Sequence, residues 1–432
     1  IAIGLALGTA FNWIFIATRL RKFSRAANDS ITLPQYLTNR FASTNPALKV
    51  VCAIVFLISF TVYVASAFVA GRTVFTAIVP DLDPTLAIVI FAVIVLIYTF
   101  LGGYKAVCWT DFFQGLLMLV ALMSVPIIMV TMGDFGGAEL YGEIKGNAFN
   151  SDLFSADWTD IVTGLSWGLG YMGMPHILVR FMAIEKPSMV KKSATVAIIW
   201  VVLSLSAAVL IAVFGRTWLL SDGSSLAQAI VPDDRNTVFI KIVQDIFPGA
   251  IAGILLSAII AASMSTADSQ LLVASSSFTS DIYKPLIRKD KASDKEVLWV
   301  GRAVVAVVAV VAFLIATSGS EWAGDIMNMV ENAWGLFGAA FGPVVILSLF
   351  WKRFNFAGAL AGIVCGAIAD IAWLLMFTST IAEPIVYDTG IYEILPGFVF
   401  GMLAAIVVTL ITKAPSDEVK KIYETAVAKN DD

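Results

Sequence analysis

Long apolar runs recur along almost the whole chain, and they constrain its fold more than any other feature. A helix needs about 20 mostly apolar residues to cross a lipid bilayer. Runs of this kind lie near residues 1–18, 47–78, 84–104, 108–132, 159–181, 189–214, 248–275, 298–318, 324–350, 355–377 and 392–413. Hydrophobic residues make up 59% of the 432 residues and charged residues only 14%, whereas a soluble domain has about 25% charged residues. The sequence therefore predicts an all-α polytopic membrane protein with eleven transmembrane helices.

The basic residues are distributed unevenly between the loops. If the first run passes from outside to inside, nearly all of the 28 lysines and arginines fall on the cytoplasmic side, as is typical of membrane proteins. The exceptions are Arg72, Lys145, Arg216, Arg235 and Lys241. A missed or invented span would reverse every later loop, so this distribution supports the eleven runs. It predicts a multi-pass protein of the cell membrane, with a transmembrane core over residues 1–413 and a short cytoplasmic tail over residues 414–432.

Composition also disfavours two classes of function. The formal net charge of −4 provides no basic field for binding nucleic acid. His176 is the single histidine, and no nucleophile–base pair is recognisable in the sequence. We therefore predict that the chain is not an enzyme and that its surroundings are the lipid bilayer, ions and small solutes.

Four acidic residues lie more than two positions from either end of an apolar run, namely Asp111, Asp268, Glu331 and Asp370. An ionised side chain at the centre of a bilayer costs about 2.5–3.5 kcal/mol, so such residues are candidates for function. For Asp111 a structural alternative is strong, because it follows Thr110 at the start of a run and could cap the helix. The roles of Glu331 and Asp370 stay open at this point.

Asp268 lies beside a cluster of small and hydroxyl-bearing residues. Helical spacing places Ala262, Ser265, Thr266 and Ser269 on one face. Hydroxyl and carboxylate oxygens are hard ligands, which suit a small cation such as sodium. The alternative is close packing between helices, to which serine and threonine are equally suited. The residue types alone leave both interpretations open.

Glycine and proline interrupt two of the apolar runs. The stretch Trp167–Pro175 contains three glycines and a proline, and Pro175 lacks a backbone donor. Irregular backbone at membrane depth is tolerated where it lines a cavity, and broken helices form substrate and ion sites in secondary transporters. Trp167 and Tyr171, one helical turn apart, would wall such a cavity. The stretch Trp334–Pro343 has a similar composition and indicates either a hinge or close helix packing.

Eight stretches distributed along the chain match the motifs of a known family. They are Tyr63–Ser66, Val69–Gly71, Tyr98–Gly103, Trp109–Asp111, Trp167–Leu178, Met264–Thr266, Phe337–Pro343 and Ile394–Phe398. Through them the chain resembles the sodium:solute symporter family and, within it, the sodium/proline symporters. The resemblance implies a LeuT-type fold with two inverted five-helix repeats. Family members usually have thirteen spans, so two N-terminal helices, one of them the first core helix, are expected to precede residue 1.

The resemblance also implies roles for individual residues. The implied sodium ligands are Ala262, Ser265, Thr266, Asp111, Asp268 and Ser269. The implied substrate-binding residues are Tyr63, Trp167, Tyr171 and Pro175. Among the sodium ligands, the first three would form one site through a carbonyl and two hydroxyls. The other three would form a second site or take part in coupling.

Together these features predict sodium-driven uptake of a small amphipathic amino acid by alternating access, with proline as the favoured substrate. One alternative is symport of another small solute, such as a different amino acid, a monocarboxylate, pantothenate or a sugar acid. A transporter-like sensor is an alternative outside transport. The sequence leaves the exact substrate, the number of sodium sites and the oligomeric state open.

Overall fold

A computed structural model describes most of the chain, namely residues 1–102, 104–132, 156–221, 236–289 and 291–428. Every regular element within these ranges is a helix. Gly103, Lys145 and Arg235, which entered the sequence predictions, lie outside the described residues. The prediction of an all-α protein is confirmed.

Most of the described connections between helices are short, and the connection over residues 378–393 is the longest of them. In chain order they are α1 (Ala2–Phe11), α2 (Thr18–Ala26), α3 (Leu33–Arg40), α4 (Ala47–Ile78), α5 (Pro84–Leu101), α6 (Tyr104–Met132), α7 (Trp158–Ser166), α8 (Pro175–Ala183), α9 (Val190–Ser221), α10 (Val238–Ile246), α11 (Gly249–Ser277), α12 (Asp294–Ala316), α13 (Glu321–Gly324), α14 (Ile326–Phe350), α15 (Phe356–Phe377), α16 (Ile394–Ile411) and α17 (Asp417–Val427). Stretches of π-helix at Asn12–Ala17 and Phe278–Ile287 and of 3₁₀-helix at Trp167–Met172 and Pro187–Met189 connect some of them.

Several helices begin where the sequence supplies a capping side chain. The Thr32 hydroxyl accepts a hydrogen bond from the Gln35 amide at 3.2 Å and starts α3. The Asp83 carboxylate accepts from the Leu86 amide at 2.9 Å and starts α5. Such side chains satisfy the amide groups that a helix leaves unpaired in its first turn. Because these residues precede apolar runs, the start of each span is encoded locally.

Ten of the predicted spans are continuous helices that are long and apolar enough to cross a membrane in the part of the chain described here. The predicted span at 159–181 differs, because it is divided between α7, a 3₁₀ segment and α8. The eleven predicted runs are therefore ten continuous helices and one broken segment. The stretch Trp334–Pro343 lies within the continuous helix α14, so the structure favours close packing over a hinge there.

Helix α14 forms the centre of the bundle. The apolar 18-residue stretch within α14 is 83% buried and that within α4 is 61% buried. The corresponding stretches of α6 and α9 are only 22% buried. Helix α14 packs against α4, α15, α16 and the 3₁₀ segment. The less buried helices turn large apolar side chains outward, as a lipid environment permits. The broken segment therefore lies against the most buried helix of the protein.

Candidate ion and substrate sites

The break between α7 and α8 places irregular backbone in the interior of the bundle. A 3₁₀ turn at Trp167–Met172 follows α7, and Pro175 begins α8 at its first position. There the missing amide hydrogen of proline costs nothing, since the first amides of a helix have no intrahelical partner. The predicted interruption of this span is thus confirmed. Its local cause is the combination of three glycines with a proline.

Glycine allows this segment to approach α14 at backbone distance. A Cβ atom on Gly173 would lie 2.9 Å from the Gly338 Cα atom and 2.9 Å from the Gly342 amide nitrogen. Gly168 makes a similar approach to Gly8 in α1. These contacts involve main-chain atoms, which cannot rotate away as a flexible side chain could. The broken segment is therefore clamped between α1 and α14.

We expect Gly173→Ala to destabilise the protein by about 1–3 kcal/mol, the usual range for overpacking a filled interior. The thermal unfolding midpoint of the purified protein measures this loss. Gly115→Ala is the matched control, because no atom lies within 4 Å of its added Cβ and alanine is the better helix former. Equal midpoints for Gly173→Ala and the unmodified protein would contradict the predicted clamp.

The aromatic residues of the broken segment point into different surroundings. Trp167 is only 4% exposed and its ring packs on Tyr392 with centroids 5.0 Å apart. Tyr171 instead meets Trp334 edge to face at 4.9 Å. The Trp334 indole nitrogen donates to the Trp167 carbonyl at 2.9 Å. In the described structure Trp167 and Tyr171 therefore contact different neighbours, and their shared role in a substrate site stays a prediction. In a 3₁₀ helix the residues that share a face are three apart, and these two are four apart.

A groove of about 680 Å³ runs along the broken segment, between the first helices and α9. Tyr171, Arg180, Asn12 and Trp200 are among its lining residues. Asn12, in the π-helical turn, donates to the Tyr171 carbonyl at 2.9 Å and so occupies one of the carbonyls of the 3₁₀ segment. The volume of the groove falls within the range of small-molecule sites.

Three of the predicted substrate residues do not line this groove. Trp167 and Pro175 are buried, and the buried indole nitrogen of Trp167 has no hydrogen-bond partner among the described residues. Tyr63, on α4, packs against the same apolar core and lies close to Tyr171. The four predicted residues therefore gather around one segment without sharing one wall.

A charged cluster joins α6, α8 and α11 beside the groove. Arg180 is hydrogen-bonded to the Asp111 carboxylate and donates to the Ser269 hydroxyl at 2.9 Å. The Ser269 hydroxyl also lies 3.3 Å from the same Asp111 oxygen. Ser265 faces Asp111 as well. The structure thus brings Asp111 and Ser269 together as the sequence predicted. Because α6 begins at Tyr104, Asp111 lies inside the helix and does not cap it.

Asp268 is fully buried next to this cluster. The backbone and hydroxyl of Ser269 lie next to its carboxylate, but neither oxygen has a partner with hydrogen-bond geometry among the described residues. It lies close enough to Asp111 and Arg180 to interact with their charges. A buried carboxylate with both oxygens unpaired is unusual, because burial without hydrogen bonds is unfavourable for a polar group. Asp268 therefore remains available to bind a ligand.

Four of the six predicted sodium ligands form one cluster. Asp111, Ser265, Asp268 and Ser269 form the cluster around Arg180, while Ala262 lines a separate cavity of about 360 Å³ between α6, α9 and α11. Thr266 is half-buried on the same helix. Within the described ranges no three histidine, cysteine, aspartate or glutamate side chains stand in metal-binding geometry. Any ion here would rely on hydroxyl and carbonyl oxygens in addition to carboxylates.

Sequence reasoning overlooked four residues that the structure places at these sites, namely Asn12, Arg180, Trp334 and Tyr392. Arg180 was counted only as a basic residue near the cytoplasmic end of a span. A usable signal existed for Asn12, since it is a lone amide within an apolar run. The contacts of Trp334 and Tyr392 depend on distant parts of the chain, and nothing in the local sequence indicates them.

Membrane-length helices packed around a broken one, with a charged and hydroxyl-bearing cluster at the break, define a secondary membrane transporter. The sequence model of the sodium:solute symporter family matches residues 1–366. The chain belongs to this family.

Individual relatives support the assignment along the full length. The chain is 40% identical to the sodium/proline symporter of Escherichia coli (strain K12) over 429 residues, which cover 99% of this chain and 82% of that protein. It is 41% identical to the high-affinity proline transporter PutP of Bacillus subtilis (strain 168) over 424 residues, which cover 97% of this chain and 85% of that protein. The family resemblance predicted from the motifs is thus confirmed.

Solved structures show the same fold. A Na⁺-coupled sialic acid symporter in a substrate-bound outward-open state matches with a TM-score of 0.64 at 20% identity, covering 96% of this chain and 90% of that one. MhsT in complex with L-phenylalanine matches with a TM-score of 0.55 at 16% identity, covering 95% and 90%. The predicted LeuT-type fold is confirmed, and the chain is a multi-pass membrane protein.

Proposed function

We propose that this protein takes up proline together with sodium by alternating access. The observation that carries this proposal is the identity of about 40% with sodium/proline symporters over nearly the whole chain. The charged cluster and the broken segment lie side by side, as coupled ion and substrate sites require. The protein would act as a carrier and not as an enzyme, with sodium as a co-transported ion.

Sodium would supply the driving force. Each positive charge that moves inward gains about 2.3 kcal/mol per 100 mV of membrane potential. Coupling requires that sodium and proline each strengthen the binding of the other by the same factor. We assign one sodium ion to Ala262, Ser265 and Thr266, and we assign coupling or a second ion to the Asp111 cluster. Ser265 would belong to both, because its side chain also faces Asp111. An ion at Asp111 would share the carboxylate with Arg180, so its binding would change the contacts of α8.

The broken segment offers complementary groups to an amino acid. Met174 precedes α8 without a side-chain cap, Pro175 has no amide hydrogen, and the Ile177 and Leu178 amides donate to the Met174 carbonyl at 3.1 Å. A substrate carboxylate at the positive end of this helix dipole would therefore meet the His176 amide. The indole nitrogen of Trp167 is a further free donor within the described interior. Tyr63 and Tyr171 would contact the apolar ring of the substrate. The excess of basic residues favours a cytoplasmic location for α17.

Uptake of labelled proline into proteoliposomes tests the function with the full-length protein. An inward sodium gradient should drive accumulation, and replacement of sodium by choline should abolish it. Unlabelled proline, another amino acid, a monocarboxylate, pantothenate and a sugar acid are then compared as competitors. Inhibition by a different solute but not by proline would overturn the substrate assignment. Undiminished uptake in choline would overturn the coupling.

We expect Thr266→Ala to raise the sodium concentration for half-maximal uptake about tenfold, which corresponds to about 1.4 kcal/mol of ion binding. The half-maximal proline concentration at saturating sodium should change much less. Ser257→Ala is the matched control, since this hydroxyl lies on an exposed face of α11 and bonds to the Ile254 carbonyl of the same helix at 2.6 Å. Equal effects on sodium and proline would argue against Thr266 as an ion ligand.

A further inference from the structure

Buried acidic residues also meet far from the Asp111 cluster along the chain. Glu331 lies in α14, Asp370 lies in α15, and Glu393 immediately precedes α16. Asp370 and Glu393 are each only 1% exposed. Helices α14, α15 and α16 pack tightly against one another, so the carboxylates are enclosed by protein. None of the residues assigned to sodium or proline belongs to this group.

Asp370 and Glu393 border one small space, which exists because residue 335 is glycine. A Cβ atom on Gly335 would lie 3.3 Å from Asp370 Oδ1 and 3.4 Å from Glu393 Oε1. The Asn332 amide donates to Glu393 Oε1 at 2.8 Å. Asp370 Oδ1 is buried and has no hydrogen-bond partner in the described part of the chain. An unpaired carboxylate oxygen is therefore aimed at the space beside a second carboxylate.

The surrounding groups do not supply a positive charge. The Tyr392 hydroxyl donates to the Glu331 carbonyl at 2.6 Å, and Tyr63 of α4 faces Tyr392. Trp322 donates to the Asn332 side-chain oxygen at 2.7 Å, which orients the amide nitrogen of Asn332 toward Glu393. No ion pair to Glu331, Asp370 or Glu393 occurs among the described residues.

Two buried carboxylates that face one space cannot both be ionised without a large electrostatic penalty, and such pairs hold a proton between them. We propose that Asp370 and Glu393 form a proton-binding site that retains one proton at neutral pH. The described residues contain no group of three or more histidine, cysteine, aspartate or glutamate side chains that could hold a metal ion. Burial raises the pKa of Glu393, which precedes the observed span Ile394–Ile411, to about 7, in agreement with a retained proton.

The site is connected to the broken segment through one ring contact. Tyr392, adjacent to Glu393, packs on Trp167 with centroids 5.0 Å apart. Loss of the proton would place two negative charges between α15 and the start of α16. Their repulsion would act on the Tyr392 backbone and through it on the 3₁₀ turn. Occupancy by the proton therefore stabilises the packing beside the proposed substrate site.

Infrared difference spectroscopy of the full-length protein in lipid nanodiscs tests the site directly, without any transport measurement. A protonated-carboxyl band should titrate near neutral pH. In Asp370→Asn, Glu393 loses one of its two acidic neighbours while Glu331 remains, so the midpoint should shift toward acid by about one pH unit. Asp81→Asn, an exposed acid, should leave the band unchanged. A spectrum without a neutral titration, or one identical in Asp370→Asn, would overturn the proposal.

Thermal unfolding gives a second readout. The folded protein binds more protons than the unfolded chain between the ordinary pKa of 4.5 and about 7 for Glu393, so its stability should fall as pH rises through that window. Asp370→Asn and Asp370→Leu should both reduce the decrease in stability with rising pH. Asp370→Leu should fold at neutral pH. If both variants unfolded at a lower temperature than the wild type at every pH, the charged form of Asp370 would stabilise the fold. That result would overturn the proposal. A substrate other than proline would affect neither measurement.

Discussion

We expect Asp111→Asn to raise the sodium concentration for half-maximal uptake about 100-fold, or to abolish measurable sodium dependence. The Asp111 side chain is 17% exposed and contacts Arg180 and Ser269. Asparagine keeps the shape but removes the negative charge that attracts a cation. The Arg180 side chain is 42% exposed, so loss of the ion pair by itself should cost little. A 100-fold change, which corresponds to about 2.7 kcal/mol, would therefore report the loss of a cation ligand. Sodium-dependent proline uptake in proteoliposomes, measured over a range of sodium concentrations, provides the test.

A double-variant cycle separates ion binding from simple loss of the pair. Arg180→Gln and the double variant Asp111→Asn with Arg180→Gln are measured beside Asp111→Asn. If the two residues act as a unit, the double variant should be less impaired than the sum of the single variants. Asp81→Asn controls for removal of an acid elsewhere. A sodium requirement of Asp111→Asn equal to that of the unmodified protein would remove Asp111 from the coupling mechanism.

The spans and the break could be read from the sequence because their causes are local. Apolar length determines which segments cross a bilayer, and proline beside glycine disrupts a helix wherever it occurs. The proximity of Asp111 to Ser269 was expected only through the family resemblance, since 158 residues separate them. The exact form of the break escaped prediction. Residues Trp167–Met172 form a 3₁₀ turn instead of the expected α-helix. Trp167 and Tyr171 therefore do not share a face, and Trp167 does not line the groove.

Partners contributed by distant helices were the main omission. Arg180 meets Asp111 because α8 crosses α6 and α11 after the break, and its sequence neighbours give no sign of this. In the sequence Asp370 had no assigned role and Glu393 was not recognised, whereas the packing around Gly335 places both at one space. Burial of single charges is visible in a sequence, but the pairing of charges depends on tertiary contacts.

Arg40 should contribute the largest single side-chain effect on stability. It is completely buried at the end of α3. Its Nε atom donates to the Ser348 carbonyl at 3.1 Å and its Nη1 atom to the Val419 carbonyl at 3.2 Å. Its guanidinium also lies 5.3 Å from the Tyr423 ring centroid. The Arg40 guanidinium thus links the C-terminal helix α17 to the end of α14 through hydrogen bonds to both. The predicted tail is in this way part of the packed structure.

Arg40→Met should therefore destabilise the protein by about 3 kcal/mol or more, since two hydrogen bonds from a charged donor contribute about 1.5 kcal/mol each and the ring contact adds to them. The midpoint of thermal unfolding and the rate of proteolysis within α17 measure the loss. Lys420→Met is the matched control, because this exposed residue pairs only with Asp417 of its own helix among the described contacts and such pairs contribute little. If Arg40→Met matched Lys420→Met in both measurements, Arg40 could not be what holds α17 in place. Arg40→Lys should restore little of the loss, because a single ammonium cannot reproduce the fork that reaches both carbonyls.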